Sequence, residues 1–137
     1  MSRGVVVDAN VAVKLFIPED LSEIAERLFR DLEQDGWHRV FVPDLFYSEC
    51  TNIFWKHIWR FGLPLDRAQR GLGGLRRLEL CQVPSTGLMR SSLELALEYG
   101  ISAYDAFYVA LAQDFSLPLI TADRKLIGKL EGSGTEL

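Results

Sequence analysis

Apolar and polar positions follow two periods along this chain, and the period changes at proline, glycine or aspartate. Residues 4–7, a glycine and three valines, form an uninterrupted β-branched run that predicts a buried strand. Residues 9–16 predict a helix stopped by Pro18. Leu21, Ile24, Ala25, Leu28, Phe29 and Leu32 recur at helical spacing, so residues 21–32 predict a helix with one face on a sheet, ending near Gly36. Residues 39–42 predict a second strand closed by Pro43, and Asp44 is placed to cap a helix running to about Trp59, before Gly62 and Pro64. Residues 65–78 read as a less regular helix in which Gly71, Gly73 and Gly74 mark a flexible interruption. Residues 79–83 predict a strand ended by Pro84, residues 88–99 and 103–115 two helices, 117–121 a buried strand, and 123–130 a final helix. Strands that alternate with helices predict an α/β fold with a mostly parallel sheet and helices on both faces, because parallel strands need helical crossovers.

The 137 residues suit one domain spanning 1–137, and a 48% hydrophobic, 25% charged composition excludes a disordered or low-complexity chain. No apolar run reaches the roughly 18 residues of a membrane span, and the N-terminus carries no signal-peptide pattern, so no membrane association and a cytoplasmic location are expected. Cys50 and Cys81 form no CxxC pair and read as reduced core thiols. A net charge of −4 argues against a broadly positive nucleic-acid surface. It leaves room for a local patch among Lys56, Arg60, Arg67, Arg70, Arg76 and Arg77, although most of these, taken singly, are better read as part of a solvated face.

Charge placement changes the picture more than charge total. In a parallel α/β sheet, ligands bind beyond the C-terminal strand ends. Asp8 directly follows the first strand and Asp123 lies just past the last, so both point to that edge. Glu49, early in the helix after the second strand, interrupts an apolar stripe of Leu45, Phe46, Ile53 and Phe54. Asp105 falls in the first turn of a helix among Ala103, Tyr104, Ala106, Phe107 and Val109. Taken singly, Asp8 and Asp123 suit helix N-caps, and Ser102 with Asp105 has capping-box spacing. Together, four acids at one edge repel one another unless a cation offsets them, and carboxylate oxygens favour Mg²⁺ or Mn²⁺. His38 and His57 stand apart from this set, which disfavours a histidine-based triad. Trp55 and Trp59, four residues apart with Phe54, Ile58 and Phe61 beside them, mark either a deeply packed helix or, with residues 12–16, a partner surface.

Four segments carry a family resemblance: the residues from Val5 to Lys14; Val42, Pro43, Asp44 and Leu45 with Glu49 and Asn52; the run from Ala103 to Ala112; and that from Leu117 to Leu126. In order and spacing they resemble the PIN domain, and within that superfamily the VapC ribonuclease toxins of toxin–antitoxin pairs. The resemblance implies a PIN-like α/β/α sandwich and a Mg²⁺- or Mn²⁺-dependent endoribonuclease. It also implies a small VapB-like antitoxin partner and a homodimer. Asp8, Glu49, Asp105 and Asp123 fall on the family's acidic positions, expected to be catalytic and to hold the metal, while Asn10 and Thr121 fall on supporting polar positions. Ala9 stands where many relatives have Ser or Thr, and the chain stops at residues 131–137, where relatives commonly add another short strand, which puts that last edge strand in doubt. The competing expectation is a PIN-like module that binds RNA or protein without cutting. A haloacid-dehalogenase-type phosphotransferase is disfavoured because Asn10 stands where that class needs a second aspartate.

Overall fold

The computed structural model describes residues 3–17, 23, 26, 27, 29, 30 and 38–135. Four strands, β1 (Arg3–Val7), β2 (His38–Pro43), β3 (Leu80–Val83) and β4 (Leu119–Ile120), form one sheet in the order β3-β2-β1-β4. Every pairing is parallel, with Val5 beside Val40, Val6 beside Leu119 and Val42 beside Gln82. All C-terminal strand ends therefore share one edge. The two inner strands are covered on both faces, which is why Val6, Val7 and Val42 are fully buried in an uninterrupted apolar run.

Helices with described bounds are α1 (Ala9–Val13), α2 (Phe46–Phe61), α3 (Leu65–Arg77), α4 (Met89–Tyr99), α5 (Ala103–Asp114) and α6 (Arg124–Lys129), with a 3-10 turn at Ser85–Gly87. Phe46, Cys50 and Phe54, four residues apart, turn one face of α2 into the core. Helix α5 is apolar nearly all round because it lies against β1 and β2 on one side and α4 on the other. Neither cysteine is in a disulfide, in keeping with their reading as core thiols, Cys50 buried and Cys81 half-buried. Among the described residues no helix is long and apolar enough to cross a membrane.

The architecture is the α/β arrangement expected, with local corrections. The first helix stops at Val13 because the next amides, Lys14, Leu15 and Phe16, bond three residues back to Val11, Ala12 and Val13 and tighten into turns. The helix expected over residues 21–32 lies largely outside the described residues; Glu23, Glu26, Arg27, Phe29 and Arg30 are helical. Asp44 is not the N-cap of α2. Its carboxylate accepts from the backbone N–H and hydroxyl of Ser85, at the turn that leads from β3 into α4.

Helix α3 is continuous, so its glycines are not an interruption, and Gly71 and Gly74 are packing sites. A Cβ on Gly71 would fall 2.6 Å from Cζ of the buried Phe54, and one on Gly74 would fall 2.3 Å from Cε1 of Phe16. Glycine lets the helix backbone lie directly on two aromatic rings. The predicted last strand is cut to Leu119–Ile120, and residues 131–135 add no further strand.

Candidate functional site

Asp8 leaves the sheet at the end of β1, and its Oδ1 accepts a 2.9 Å bond from the Val11 N–H, capping α1. Asp123 likewise caps α6, its Oδ1 accepting from the N–H groups of Lys125 and Leu126 at 3.0 and 3.1 Å. The capping and site readings therefore coincide: the cap fixes each carboxylate at the strand-end edge. Thr121 ties the two together, its Oγ1 accepting from the Asp123 N–H at 3.1 Å while its side chain hydrogen-bonds Asp8. Glu49 lies in the first turn of α2 and Asp105 in that of α5. Helix α5 crosses β1 and β2 and delivers the chain to the start of β4, so its first turn sits at the opposite edge, with Asp8. Ser102 caps this helix by accepting from the Asp105 N–H at 3.1 Å, and its side chain also hydrogen-bonds the Asp105 carboxylate.

The electrostatics bring these acids into one field. Burial pushes the Asp8 carboxyl up; the bonds from Thr121 and Val11 oppose the rise, and the charges of Asp105 and Asp123 add to it. Burial also raises Glu49, against a hydrogen bond from Tyr108, with Asp105 and Asp8 pushing it further. Asp105 is raised by burial and by Asp123, and lowered by Ser102 and Lys129. No ion pair joins any of the four carboxylates to a Lys or Arg among the described residues. Asp8 is the most costly, an aspartate only 8% exposed.

Tyr108 is a residue that the sequence reading missed. Its side chain is 2% exposed, and its hydroxyl donates a 2.6 Å bond to Oε1 of Glu49 across 59 residues of sequence. The available signal was its position three residues after Asp105, on the same face of α5. Asn10 is exposed and lines a groove beside Glu49. His57 is turned away, its Nδ1 2.9 Å from the Ile53 carbonyl, and the side chain of His38 lies outside the described residues.

Among the described residues, no three acidic, histidine or cysteine side chains stand close enough to form a ready-made metal cage. The oxygen donors are instead spread around one edge, sharing a field without a common contact point. Such a set is unlike a closed structural zinc site. It resembles the loose, water-completed surroundings in which Mg²⁺ is usually held by one or two carboxylates.

The PIN-domain family profile matches residues 5–129. The chain belongs to the PIN-domain family. It is 36% identical over 126 residues to Ribonuclease VapC3 of Pyrobaculum aerophilum, an alignment covering 90% of this chain and 92% of that protein. Among solved structures it resembles the crystal structure of PAE2754 from Pyrobaculum aerophilum, with a TM-score of 0.70 and 25% identity over 99% of this chain and 84% of that one. It also superimposes on a chain of a toxin–antitoxin complex from Klebsiella pneumoniae, with a TM-score of 0.64 and 20% identity over 97% and 96% of the two chains. This PIN domain thus has the fold its four quoted segments implied.

The aromatic helix face is settled by exposure. Trp55, Trp59 and Phe61 stand out from α2, Trp59 at 76% exposed, and the two indoles stack with centroids 6.3 Å apart. Of residues 12–16, Ala12 and Val13 are in the core, and Lys14, Leu15 and Phe16 are half-buried.

Proposed function

We propose that this PIN domain is a metal-dependent endoribonuclease, the toxin of a toxin–antitoxin pair, that hydrolyses RNA phosphodiester bonds at the acidic strand-end site. The observation that carries the proposal is the convergence of Asp8, Glu49, Asp105 and Asp123 in one field with no paired cation among the described residues. The naming of a similar protein as a ribonuclease and the fold shared with a toxin–antitoxin complex support it.

Asp8, Asp105 and Asp123 are the residues that would hold Mg²⁺ or Mn²⁺, with Glu49 beside them. A bound divalent ion supplies positive charge for the phosphoryl oxygens and makes nearby water more acidic. Thr121 keeps Asp8 and Asp123 in register, and Asn10 is the polar side chain next to Glu49. Glu49 serves as the proton acceptor for the attacking water. Its carboxyl is raised by burial, and its Oε1 is held by Tyr108, which leaves Oε2 for the proton. Water then attacks phosphorus and the bond to the leaving ribose oxygen breaks.

The Trp55, Trp59 and Phe61 face is the surface we assign to an antitoxin's apolar segment, because stacked, exposed indoles are costly in water and suit a hydrophobic helix or strap. A homodimer completes the proposed assembly.

The test is cleavage of a total-RNA pool by the purified chain with Mg²⁺, Mn²⁺ or EDTA. The expected result is discrete fragments in Mg²⁺ or Mn²⁺ and none in EDTA, with ends free of 2′,3′-cyclic phosphate because water is the nucleophile. Equal cleavage in EDTA, or cyclic-phosphate ends, overturns the mechanism.

A further inference from the structure

A groove of about 360 Å³ runs beside Glu49, between α2 and the first turn of α5. Its polar groups come from both helices and from α1. Glu49, Asn52 and Lys56, at positions i, i+3 and i+7, lie along one face of α2, so the groove extends from the acidic site toward a cation. Asn10 enters from α1, and Tyr104, the residue before Asp105, forms the other wall with a side chain 66% exposed.

Lys56, Asn10 and Asn52 are unspent. Among the described residues Lys56 pairs with no carboxylate, and neither Asn10 nor Asn52 uses its amide in a hydrogen bond. An exposed aromatic ring stands beside an ammonium and two amides that have no protein partner among the described residues. This arrangement suits a nucleotide, whose base offers a π-face and whose phosphate takes donors. The volume is at the small end of ligand sites, which suits one unpaired nucleotide and not a duplex.

Resting on the nuclease reading, we infer that this groove seats the unpaired nucleotide flanking the cleaved bond, with its base stacked on Tyr104 and its phosphate held by Lys56 and Asn52. The site therefore selects single-stranded RNA at the position next to the cut. Base identity is read weakly, because every base offers a face to stack.

The experiment measures binding, so it stands apart from catalysis. A short fluorescein-labelled single-stranded oligoribonucleotide of mixed sequence, and the same strand in a duplex, are titrated by anisotropy into the Asp8→Asn chain, in which nothing is cut. Tyr104→Ala in that background weakens single-strand binding about 5- to 150-fold and abolishes the preference over duplex, while Tyr104→Phe keeps both. Lys56→Ala lowers the slope of log affinity against log salt by about 0.7, the share of one phosphate contact on a single strand. Unchanged binding in Tyr104→Ala and Lys56→Ala overturns the assignment, and so does a Tyr104→Phe variant as weak as Tyr104→Ala. Should the parent chain fail to cut RNA while these dependences hold, the nuclease reading falls and the groove stands; cleavage with unaffected binding is the reverse case.

Discussion

The bond from Tyr108 to Glu49 links α5 to α2 through a carboxylate, and Tyr108→Phe removes it while leaving the ring. The hydroxyl donates at 2.6 Å from a side chain 2% exposed, so no solvent replaces it and the Phe ring fills the same space. A hydrogen bond to a charged group contributes about 1.5–3 kcal/mol. For a 137-residue chain each kcal/mol moves the melting temperature by about 4 °C, so the expected loss at neutral pH is about 6–12 °C. The pH dependence identifies the cause. Burial already holds the Glu49 carboxyl above its ordinary value of 4.5, and the Tyr108 bond is what lowers it. A carboxyl raised on folding costs stability where it is ionised, above its folded pKa; that cost fades as pH falls through the folded value and is absent below the unfolded one. Tyr108→Phe raises Glu49 further, so the deficit against the parent is widest at neutral pH and narrows as both proteins protonate Glu49 on the way to about pH 4. Thermal melts in EDTA across that range measure it. A variant as stable as the parent at neutral pH, or a deficit that does not change with pH, would refute a charge-assisted bond.

Four further outcomes are expected. Gly73→Ala raises the melting temperature by about 4 °C, since its nearest neighbour atom is 3.9 Å away and alanine favours helix by about 1 kcal/mol; Gly71→Ala lowers it, overpacking against Phe54 outweighing that gain by about 1–2 kcal/mol, and paired melts decide both. Asp8→Asn keeps the α1 cap and removes a buried charge, so in EDTA it melts above the parent, yet it loses the rise that Mg²⁺ gives the parent, about 2.7 kcal/mol at a hundredfold excess over Kd; a lower melting temperature in EDTA contradicts this. Burial, with Glu49 and Asp8 adding to it, pushes the Cys50 thiol up to about 12, so alkylation at about pH 8 followed by peptide mapping finds Cys50 unmodified until the chain unfolds.

The strand-end acids were legible because their cause is local. A β-branched run ending in aspartate fixes where that carboxylate leaves the sheet, and the parallel pairing of all four strands puts Asp8 and Asp123 at one edge. Glu49 was legible as a charge in an apolar stripe, the kind of local conflict that marks functional sites. What escaped depends on contacts distant in sequence. Tyr108 meets Glu49 across 59 residues, and Asp44 prefers Ser85, 41 residues on, to the helix it precedes. Gly71 and Gly74 carry the propensity of a break, and only the rings of Phe54 and Phe16 explain why they continue a helix. Helical period alone could not say whether Trp55 and Trp59 face the core or water, because period gives a face and not what covers it.

On this reading the buried carboxylate after β1 is the heart of a nuclease site and not merely a helix cap. The most direct test compares RNA cleavage in Mg²⁺ by the parent chain and by Asp8→Asn, with thermal melts to establish that both are folded. Asp8→Asn is expected to be folded, to melt no lower than the parent in EDTA, and to leave RNA uncut where the parent yields discrete fragments. A folded Asp8→Asn chain that cuts at the parent's rate would contradict it.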